Sequence, residues 1–194
     1  MNKAEIQAYF DSHAPDWDAR MVRCQNKIDA ILDAAGVCQN ARVLDVACGT
    51  GVLFEDYLAR GVALVTGVDI SSEMVRIARR KFPQSHIEVR CADIEEIQLD
   101  TQYDCCIVYN ALPHFSDPSR LIARLAPFVV PGGRLCIAHG MSRAALMLHH
   151  AGRADAVSRP LPEISALCQL FDPYFSSDVA ISDDEKYITA GSRR

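Results

Sequence analysis

Val-Leu-Asp-Val-Ala-Cys-Gly-Thr-Gly, residues 43–51, combines a short apolar run, an acid and a turn built from small residues. The apolar members of the run fit a buried parallel strand. Gly49 and Gly51 allow the backbone to bend sharply and to approach a ligand bound at the start of the next helix. Asp45 stands where it can meet a cation or a hydrogen-bond donor. The stretch therefore predicts a ligand-binding turn at the end of a buried strand.

This turn differs from the two common phosphate-binding loops. No lysine follows Gly51, so the Gly-Lys-Ser/Thr ending of a P-loop is absent. Phe54 stands three positions beyond Gly51, where a dinucleotide-binding loop has the third glycine that permits close helix packing. A nicotinamide oxidoreductase is one alternative for the chain, but the missing glycine argues against it.

A second strand-like run, Ala-Leu-Val-Thr-Gly-Val at residues 63–68, also ends at an acid, Asp69. The two hydroxyls of a ribose can both donate to one carboxylate. Asp69 follows the glycine turn at a separation similar to that of the ribose-binding acid in dinucleotide sites, about 20 residues. The two strand ends together predict a nucleoside-binding site.

Three further segments follow in order, at residues 89–94, 103–110 and 125–135, the last containing Pro-Gly-Gly. With the first two, they resemble the motifs of the class I S-adenosylmethionine-dependent methyltransferases, in particular the small-molecule, quinone-methyltransferase-like branch. In that family the first loop is acid-x-Gly-x-Gly-x-Gly, and here Ala47 replaces the first glycine. We expect this replacement to be mild because alanine is nearly as small.

The resemblance implies the fold and the cofactor. It implies a doubly wound α/β domain with a seven-stranded, mostly parallel, Rossmann-like sheet and an antiparallel C-terminal hairpin strand. Residues 1–194 are expected to form one domain, with 1–40 as an N-terminal helical lid. S-adenosyl-L-methionine is the implied cofactor, and S-adenosyl-L-homocysteine is the implied product.

The resemblance also implies a set of cofactor-binding residues. The turn is expected to hold the amino acid end of the cofactor, Asp69 the ribose, the acid after the third strand the adenine, and the residue after the fourth strand the methionine group. These residues are Asp45, Ala47, Cys48, Gly49, Thr50, Gly51, Asp69, Ile70, Met74, Asp93, Ile94 and Asn110.

Sequence periodicity adds elements at both ends of the chain. Helical periodicity is present at residues 2–10 and 17–35. Near the C-terminus a short helix is predicted at about 162–171, followed by strand-like runs at 177–181 and 186–190. The tight polar connection between these runs requires antiparallel pairing.

The segment at residues 9–18, Tyr-Phe-Asp-Ser-His-Ala-Pro-Asp-Trp-Asp, is similar to the Phe-Asp-x-x-Ala-x-x-Trp-Asp segment of many small-molecule members of the family. The resemblance implies that it folds over the cofactor and keeps water out. Alternatively, Tyr9, Phe10 and Trp17 only pack the helix onto the sheet, since aromatic side chains supply much core area.

Three residues are candidates for acceptor binding and catalysis. His114 lies in the loop after the fourth strand, and an imidazole can remove a proton near neutral pH. Its alternative role is to line or cap the pocket. Arg143 and His149 follow the fifth strand, where Arg143 could hold a carboxylate or phosphate with its planar fork. The alternative for Arg143 is a solvated residue near a helix start. Metal-site spacings are absent, so no metal is predicted.

Composition limits the class of protein. The hydrophobic content of 49% is sufficient for one sizeable core, and no apolar stretch is long enough to span a bilayer. The N-terminus lacks an apolar signal region, so a cytoplasmic location is expected. The net charge of -5 argues against nucleic acid as a substrate. The 8 cysteines include no Cys-x-x-Cys pair, and those inside predicted strands, such as Cys91 and Cys106, are expected to be buried thiols.

The sequence thus predicts transfer of a methyl group to a small-molecule acceptor. An alternative of another class is a catalytically silent S-adenosylmethionine-binding sensor or partner subunit, which would keep the same loop. The nucleophilic atom of the acceptor and the oligomeric state stay open, because fold does not determine function.

Overall fold

A twisted seven-stranded sheet forms the centre of the molecule. The computed structural model describes residues 2–150 and 157–194, with side chains for all of these except residues 149 and 150. The strand order is β3-β2-β1-β4-β5-β7-β6. The strands are β1 (Arg42–Val46), β2 (Leu64–Asp69), β3 (Ile87–Cys91), β4 (Tyr103–Tyr109), β5 (Val129–His139), β6 (Phe175–Ser182) and β7 (Tyr187–Arg193).

The pairing of the strands confirms the predicted fold class. β1 to β5 are mutually parallel, and β7 is antiparallel to both β5 and β6. The chain leaves β1 toward β2 and β3 on one side and returns to β4 on the other. The strand order therefore reverses between β1 and β4, which is where open α/β sheets bind their ligands, at the carboxyl ends of the strands.

Helices cover both faces of the sheet. They are α1 (Lys3–His13), α2 (Trp17–Arg20), α3 (Gln25–Ala34), α4 (Phe54–Ala59), α5 (Ser72–Lys81), α6 (Pro118–Leu125), α7 (Arg143–His150) and α8 (Ile164–Phe171). One core contains apolar residues of α3, α4 and α5, and the second contains those of α6, α7 and α8. Because the strands are buried on both faces, they are apolar along most of their length.

Local sequence explains where two of these helices begin. Ser71 caps α5 by accepting a hydrogen bond on its hydroxyl from the backbone N–H of Met74, at 3.1 Å. Asp117 caps α6 in the same way, through the N–H of Arg120, and Pro118 occupies the first helical position. Both caps satisfy N–H groups that lack a partner within the helix. The start of α5 is therefore fixed directly after the end of β2.

Two sequence-based expectations about local structure were wrong. The helix predicted over 17–35 is broken, since residues 21–24 separate α2 from α3 and Met21 has extended backbone. Arg23 stabilises this break by donating to the carbonyl of Val52 and to Asp56. Cys91 was expected to be buried, but it is exposed because it ends the edge strand β3.

Candidate functional site

A cavity of about 1200 Å³ opens at the carboxyl ends of β1, β2 and β4. Its walls come from the glycine turn, the ends of β2 and β3, the loop after β4, and the N-terminal helices. The predicted site residues that line it are Asp45, Ala47, Cys48, Gly49, Asp69, Ile70, Met74, Asp93, Ile94, Asn110 and His114. The structure thus brings together most of the residues that the sequence singled out.

The turn after β1 has left-handed backbone at three positions, Ala47, Gly49 and Gly51. Ala47 has a φ of 56° and Gly49 also has a φ of 56°. The expectation that Ala47 is a mild replacement for glycine was based only on the size of its side chain. A left-handed alanine costs about 1 kcal/mol or more, because its Cβ approaches the following carbonyl. The position therefore favours glycine for its backbone conformation.

Two residues of the turn do not line the cavity. The hydroxyl of Thr50 donates to Asp18 at 2.5 Å and is fully buried. Gly51 packs against aromatic rings, and a Cβ there would lie 2.8 Å from atoms of both Phe54 and Phe82. The third position of the turn therefore serves packing of the helix that follows, while the first two face the cavity.

Asp45 is a buried acid at the end of β1. It is 2% exposed, and its Oδ2 accepts a hydrogen bond from the hydroxyl of Tyr57 at 3.1 Å. Burial raises the pKa of Asp45 to about 7, the Tyr57 hydrogen bond lowers it, and the nearby charge of Asp69 raises it. A cationic ligand would favour the ionised carboxylate.

Asp69 closes the turn from the neighbouring strand. Its two oxygens accept from the backbone N–H groups of Gly49 and Ser71, each at 2.8 Å. Burial raises the pKa of this carboxyl, while these two hydrogen bonds oppose the rise. Asp69 therefore links the glycine turn to the start of α5 and faces the cavity between them.

An acidic group lies at the end of β3. Asp93 accepts from the N–H of Glu95 at 2.9 Å, and both acids line the cavity. The ammonium of Lys3, in α1, forms ion pairs with Asp93 and, at 3.0 Å, with Glu95. The hydrogen bond to Asp93 raises the pKa of Lys3 despite partial burial. Lys3 thus fastens the first helix to this end of the cavity.

The residue that follows β4 is also left-handed. Asn110 has a φ of 53°, and its Oδ1 accepts from the N–H of Gly140 at 3.0 Å. Its own N–H donates to the carbonyl of Ala138 at 2.8 Å. Asn110 therefore ties the loop after β4 to the loop after β5 at the floor of the cavity.

The N-terminal segment predicted as a lid lines the cavity. Tyr9, Phe10 and Trp17 all belong to the wall, and the Phe10 and Trp17 rings are 5.7 Å apart. Asp11 accepts hydrogen bonds from the hydroxyl of Ser71 and from the N–H of Glu73. The segment is therefore anchored directly beside Asp69, at the start of α5.

The structure separates the three acceptor-side candidates. His114 lines the cavity, and its Nδ1 lies 2.8 Å from the carbonyl of Val157. Arg143 does not line it, because its guanidinium pairs with Glu163 at 2.7 Å and donates to the carbonyl of Leu161. His149 has its backbone in α7, and its side chain lies outside the described part of the chain.

Other possible sites are not supported. Within residues 2–148 and 157–194, no three His, Cys, Asp or Glu side chains are grouped closely enough to hold a metal ion. All eight cysteines are free thiols. None of the helices in the described ranges has the length and apolarity needed to cross a bilayer.

A family model described as "Methyltransferase domain" matches residues 44–137, which include the end of β1, β2 to β4 and most of β5. The chain is 40% identical over 144 residues to a ubiquinone biosynthesis O-methyltransferase of Coxiella burnetii. The matched part of this chain belongs to the class I methyltransferase family.

The curated relatives of this chain are longer proteins. The Coxiella match covers 70% of this chain and 61% of the relative. A malonyl-[acyl-carrier protein] O-methyltransferase of Acetivibrio thermocellus is 31% identical over 138 residues, which are 70% of this chain and 49% of that protein. The chain thus spans about half to three fifths of the length of these relatives.

Solved structures share the fold of this chain over nearly its full length. A methyltransferase solved in complex with the Haloferax volcanii Trm112 activator has a TM-score of 0.84 and 17% identity, with 97% of each chain covered. Magnesium protoporphyrin IX methyltransferase from Synechocystis PCC 6803, solved with bound S-adenosylhomocysteine, has a TM-score of 0.74 and 22% identity, with 99% of each chain covered. At these identities the likeness concerns the fold.

The structure adds residues to the wall of the cavity that the sequence did not indicate. They include Lys3 and Glu95 at one end of the cavity and Lys27 and Tyr109 at the other. The position of Tyr109 just before Asn110, at the end of β4, was a usable signal. No sequence signal indicated Lys27, because its place in the wall depends on the break between α2 and α3.

Proposed function

We propose that this chain transfers the methyl group of S-adenosylmethionine to a small-molecule acceptor. The observation that carries the proposal is a pair of buried acids, Asp45 and Asp69, in the wall of the cavity. Among the described side chains, neither acid has a Lys, Arg or His partner within 4.0 Å. Buried carboxylates are normally paired, so both favour a ligand that brings its own positive charge and donors.

S-adenosylmethionine has the groups that this wall requires. It carries an ammonium, a sulfonium and a ribose diol, and a cavity of about 1200 Å³ is large enough for it and an acceptor. The left-handed backbone at Ala47 and Gly49 lets the turn approach a ligand closely. The names of the curated relatives, both O-methyltransferases, support the same activity.

The proposed roles follow from position in the wall. Asp45 and the turn at Ala47, Cys48 and Gly49 would hold the amino acid end, and Asp69 would hold the ribose. The remaining cofactor contacts are proposed for Ile70, Met74, Asp93, Ile94 and Asn110. Thr50 and Gly51 would act indirectly, by holding Asp18 and the packing of α4.

When bound, S-adenosylmethionine supplies a methyl group that is already strongly electrophilic. The protein has to hold the acceptor in line, exclude water and, where the acceptor is protonated, take up a proton. Phe10 and Trp17 would exclude water, since they are part of the wall. The Nδ1 of His114 donates to the Val157 carbonyl, because a carbonyl oxygen can only accept. In the neutral ring Nε2 is therefore the nitrogen without a hydrogen, and it is the atom that can take up a proton.

The proposal is tested with Asp69→Asn, which keeps the volume but removes one strong acceptor. Titration calorimetry with S-adenosylmethionine should show affinity lowered by roughly tenfold to hundredfold, as for a lost hydrogen bond to a charged group. Asp104→Asn is the control, because Asp104 pairs with Arg42 at the opposite ends of the strands. Unchanged affinity for Asp69→Asn, with the fold intact by circular dichroism, would contradict the ribose assignment.

Activity is tested separately from binding. Formation of S-adenosylhomocysteine with oxygen, nitrogen and thiol acceptors would support transfer. Tight binding of S-adenosylmethionine without product from any acceptor class would instead support a silent sensor or partner subunit.

A further inference from the structure

The two ends of the cavity have opposite charge. Three acids line the end formed by β2 and the segment after β3, namely Asp69, Asp93 and Glu95, and Asp45 lies at the end of β1, the strand between β2 and β4. The other end is formed by the first turn of α3, the end of β4 and the loop after β5. Its described wall residues include Cys24, Lys27, Tyr109, Gly140, Met141 and Leu146, and none of these is acidic.

Lys27 is distinguished from the other cations of the wall by its partners. Lys3 is paired with Asp93, and Arg20 is paired with Asp16 at 3.0 Å. The ammonium of Lys27 contacts backbone carbonyls, those of Glu185 at 3.0 Å and Gly140 at 3.5 Å. Within the described part of the chain, no carboxylate lies within 4.0 Å of it.

Tyr109 provides a neutral donor beside Lys27. A Cβ on Gly140 would lie 2.9 Å from the Tyr109 hydroxyl, so the phenol and the ammonium both lie next to Gly140. Burial raises the pKa of Tyr109, and the side chain of Asn110 opposes the rise. The phenol therefore keeps its hydrogen at neutral pH and can offer it to a ligand.

Asp56 is an acid that acts on Tyr109, and it is held by Arg23 at 2.7 Å and by Gln25 at 2.9 Å. The wall of the cavity also includes apolar side chains, Met141 and Leu146 among them. One ammonium and one hydroxyl match the two oxygens of a monoanionic carboxylate, whereas a dianionic phosphate would need more positive charge in a cavity that four acids line.

We propose that Lys27 and Tyr109 form a carboxylate-binding subsite, and that the methyl acceptor of this chain is a small organic acid with an apolar body. The proposal rests on the proposed function, because it assigns the end of the cavity that the cofactor would leave for the acceptor. Lys27 would attract and hold the carboxylate, and Tyr109 would fix its orientation.

The test is a binding measurement that does not depend on turnover. Hexanoate, benzoate and 2-naphthoate, each with its primary amide, and phenyl phosphate are titrated by calorimetry into the protein loaded with S-adenosylhomocysteine. We expect at least one acid to bind at least tenfold more tightly than its amide and than phenyl phosphate. Lys27→Gln should remove that preference and leave amide binding unchanged, while Lys27→Arg should retain most of it.

The matched control is Lys186→Gln, because Lys186 follows Glu185 in the same hairpin but pairs with Asp183 and does not line the cavity. It should bind the acid as the parent protein does. The inference is overturned if no acid binds better than its amide, if phenyl phosphate binds better than the acids, or if Lys27→Gln keeps the preference.

The two proposals fail in different ways. Absence of S-adenosylhomocysteine binding would contradict the proposed function, and the acids would then be titrated into the protein alone. Normal S-adenosylhomocysteine binding without any preference for carboxylates would leave the proposed function standing and would overturn the subsite.

Discussion

Replacing Asp45 by asparagine should stabilise the fold and weaken the site at the same time. Asp45 is 2% exposed and its pKa is raised by burial from 3.8 to about 7. Asparagine has nearly the same shape and keeps an oxygen for the Tyr57 hydroxyl, but it never ionises. The variant thus removes the charge alone.

The pH at which the effect appears follows from the direction of the shift. Below about pH 4 the Asp45 carboxyl is neutral in both the folded and the unfolded chain, so the charge costs nothing. Between about pH 4 and 7 only the unfolded chain loses the proton, and the free energy of unfolding falls as the pH rises. Above pH 7 the carboxyl is ionised in the folded chain as well, and the free energy of unfolding falls no further. The difference between pKa values of 3.8 and about 7 corresponds to about 4 kcal/mol.

Urea unfolding of the parent and Asp45→Asn proteins from pH 4.5 to 8.5 measures this pH dependence of the free energy of unfolding. The stability gain of the variant should grow from about 1 kcal/mol at pH 4.5 to at most about 4 kcal/mol at pH 8. Asp104→Asn is the control of opposite sign: burial raises the pKa of Asp104, but Arg42 outweighs it and the net shift is downward. A gain that does not change with pH, or a variant less stable than the parent at pH 8, would refute the reasoning.

Two further results are expected. Ala47→Gly should raise the free energy of unfolding by about 1 kcal/mol, because it relieves a left-handed alanine, and urea unfolding without such a gain would contradict that account. His114→Gln should lower the rate of methylation of a phenol by about 100-fold or more, measured as S-adenosylhomocysteine formation, but should affect a carboxylate acceptor much less, because a carboxylate has no proton to lose. Equal losses for the two acceptors would argue against proton uptake by His114.

The fold and the acidic end of the cavity were predictable because their determinants are local. The strand-acid-glycine pattern at 43–51 and the acid at Asp69 both lie where a strand ends, and parallel strands place such ends together. Ala47 shows the limit of this reasoning. The sequence shows that an alanine replaces a glycine of the family motif, but the left-handed backbone at this position is set by the folded turn. The single-domain organisation over residues 1–194 stays a prediction.

The end of the cavity at Lys27 and Tyr109 was less predictable because it depends on contacts distant in sequence. The break before α3 contains no proline or glycine, and Arg23 holds it through Val52 and Asp56, about 30 residues away. Arg143 was placed in the pocket by its position after β5, but Glu163 binds its guanidinium. Neither the contacts of Arg23 nor the Arg143–Glu163 ion pair follows a regular spacing in the sequence, so a periodicity analysis does not detect them.

The division of the cavity between near and distant parts of the chain has an evolutionary consequence. One wall comes from the contiguous stretch between Asp45 and Glu95, whereas Lys27, Tyr109 and Gly140 reach the opposite wall from separate segments. Under the proposed function, substitutions in those segments would alter which compound is modified without disturbing the nucleoside. A lineage that carries this scaffold can therefore change its metabolic role through few mutations, and an engineer can follow the same route by varying the distant segments alone.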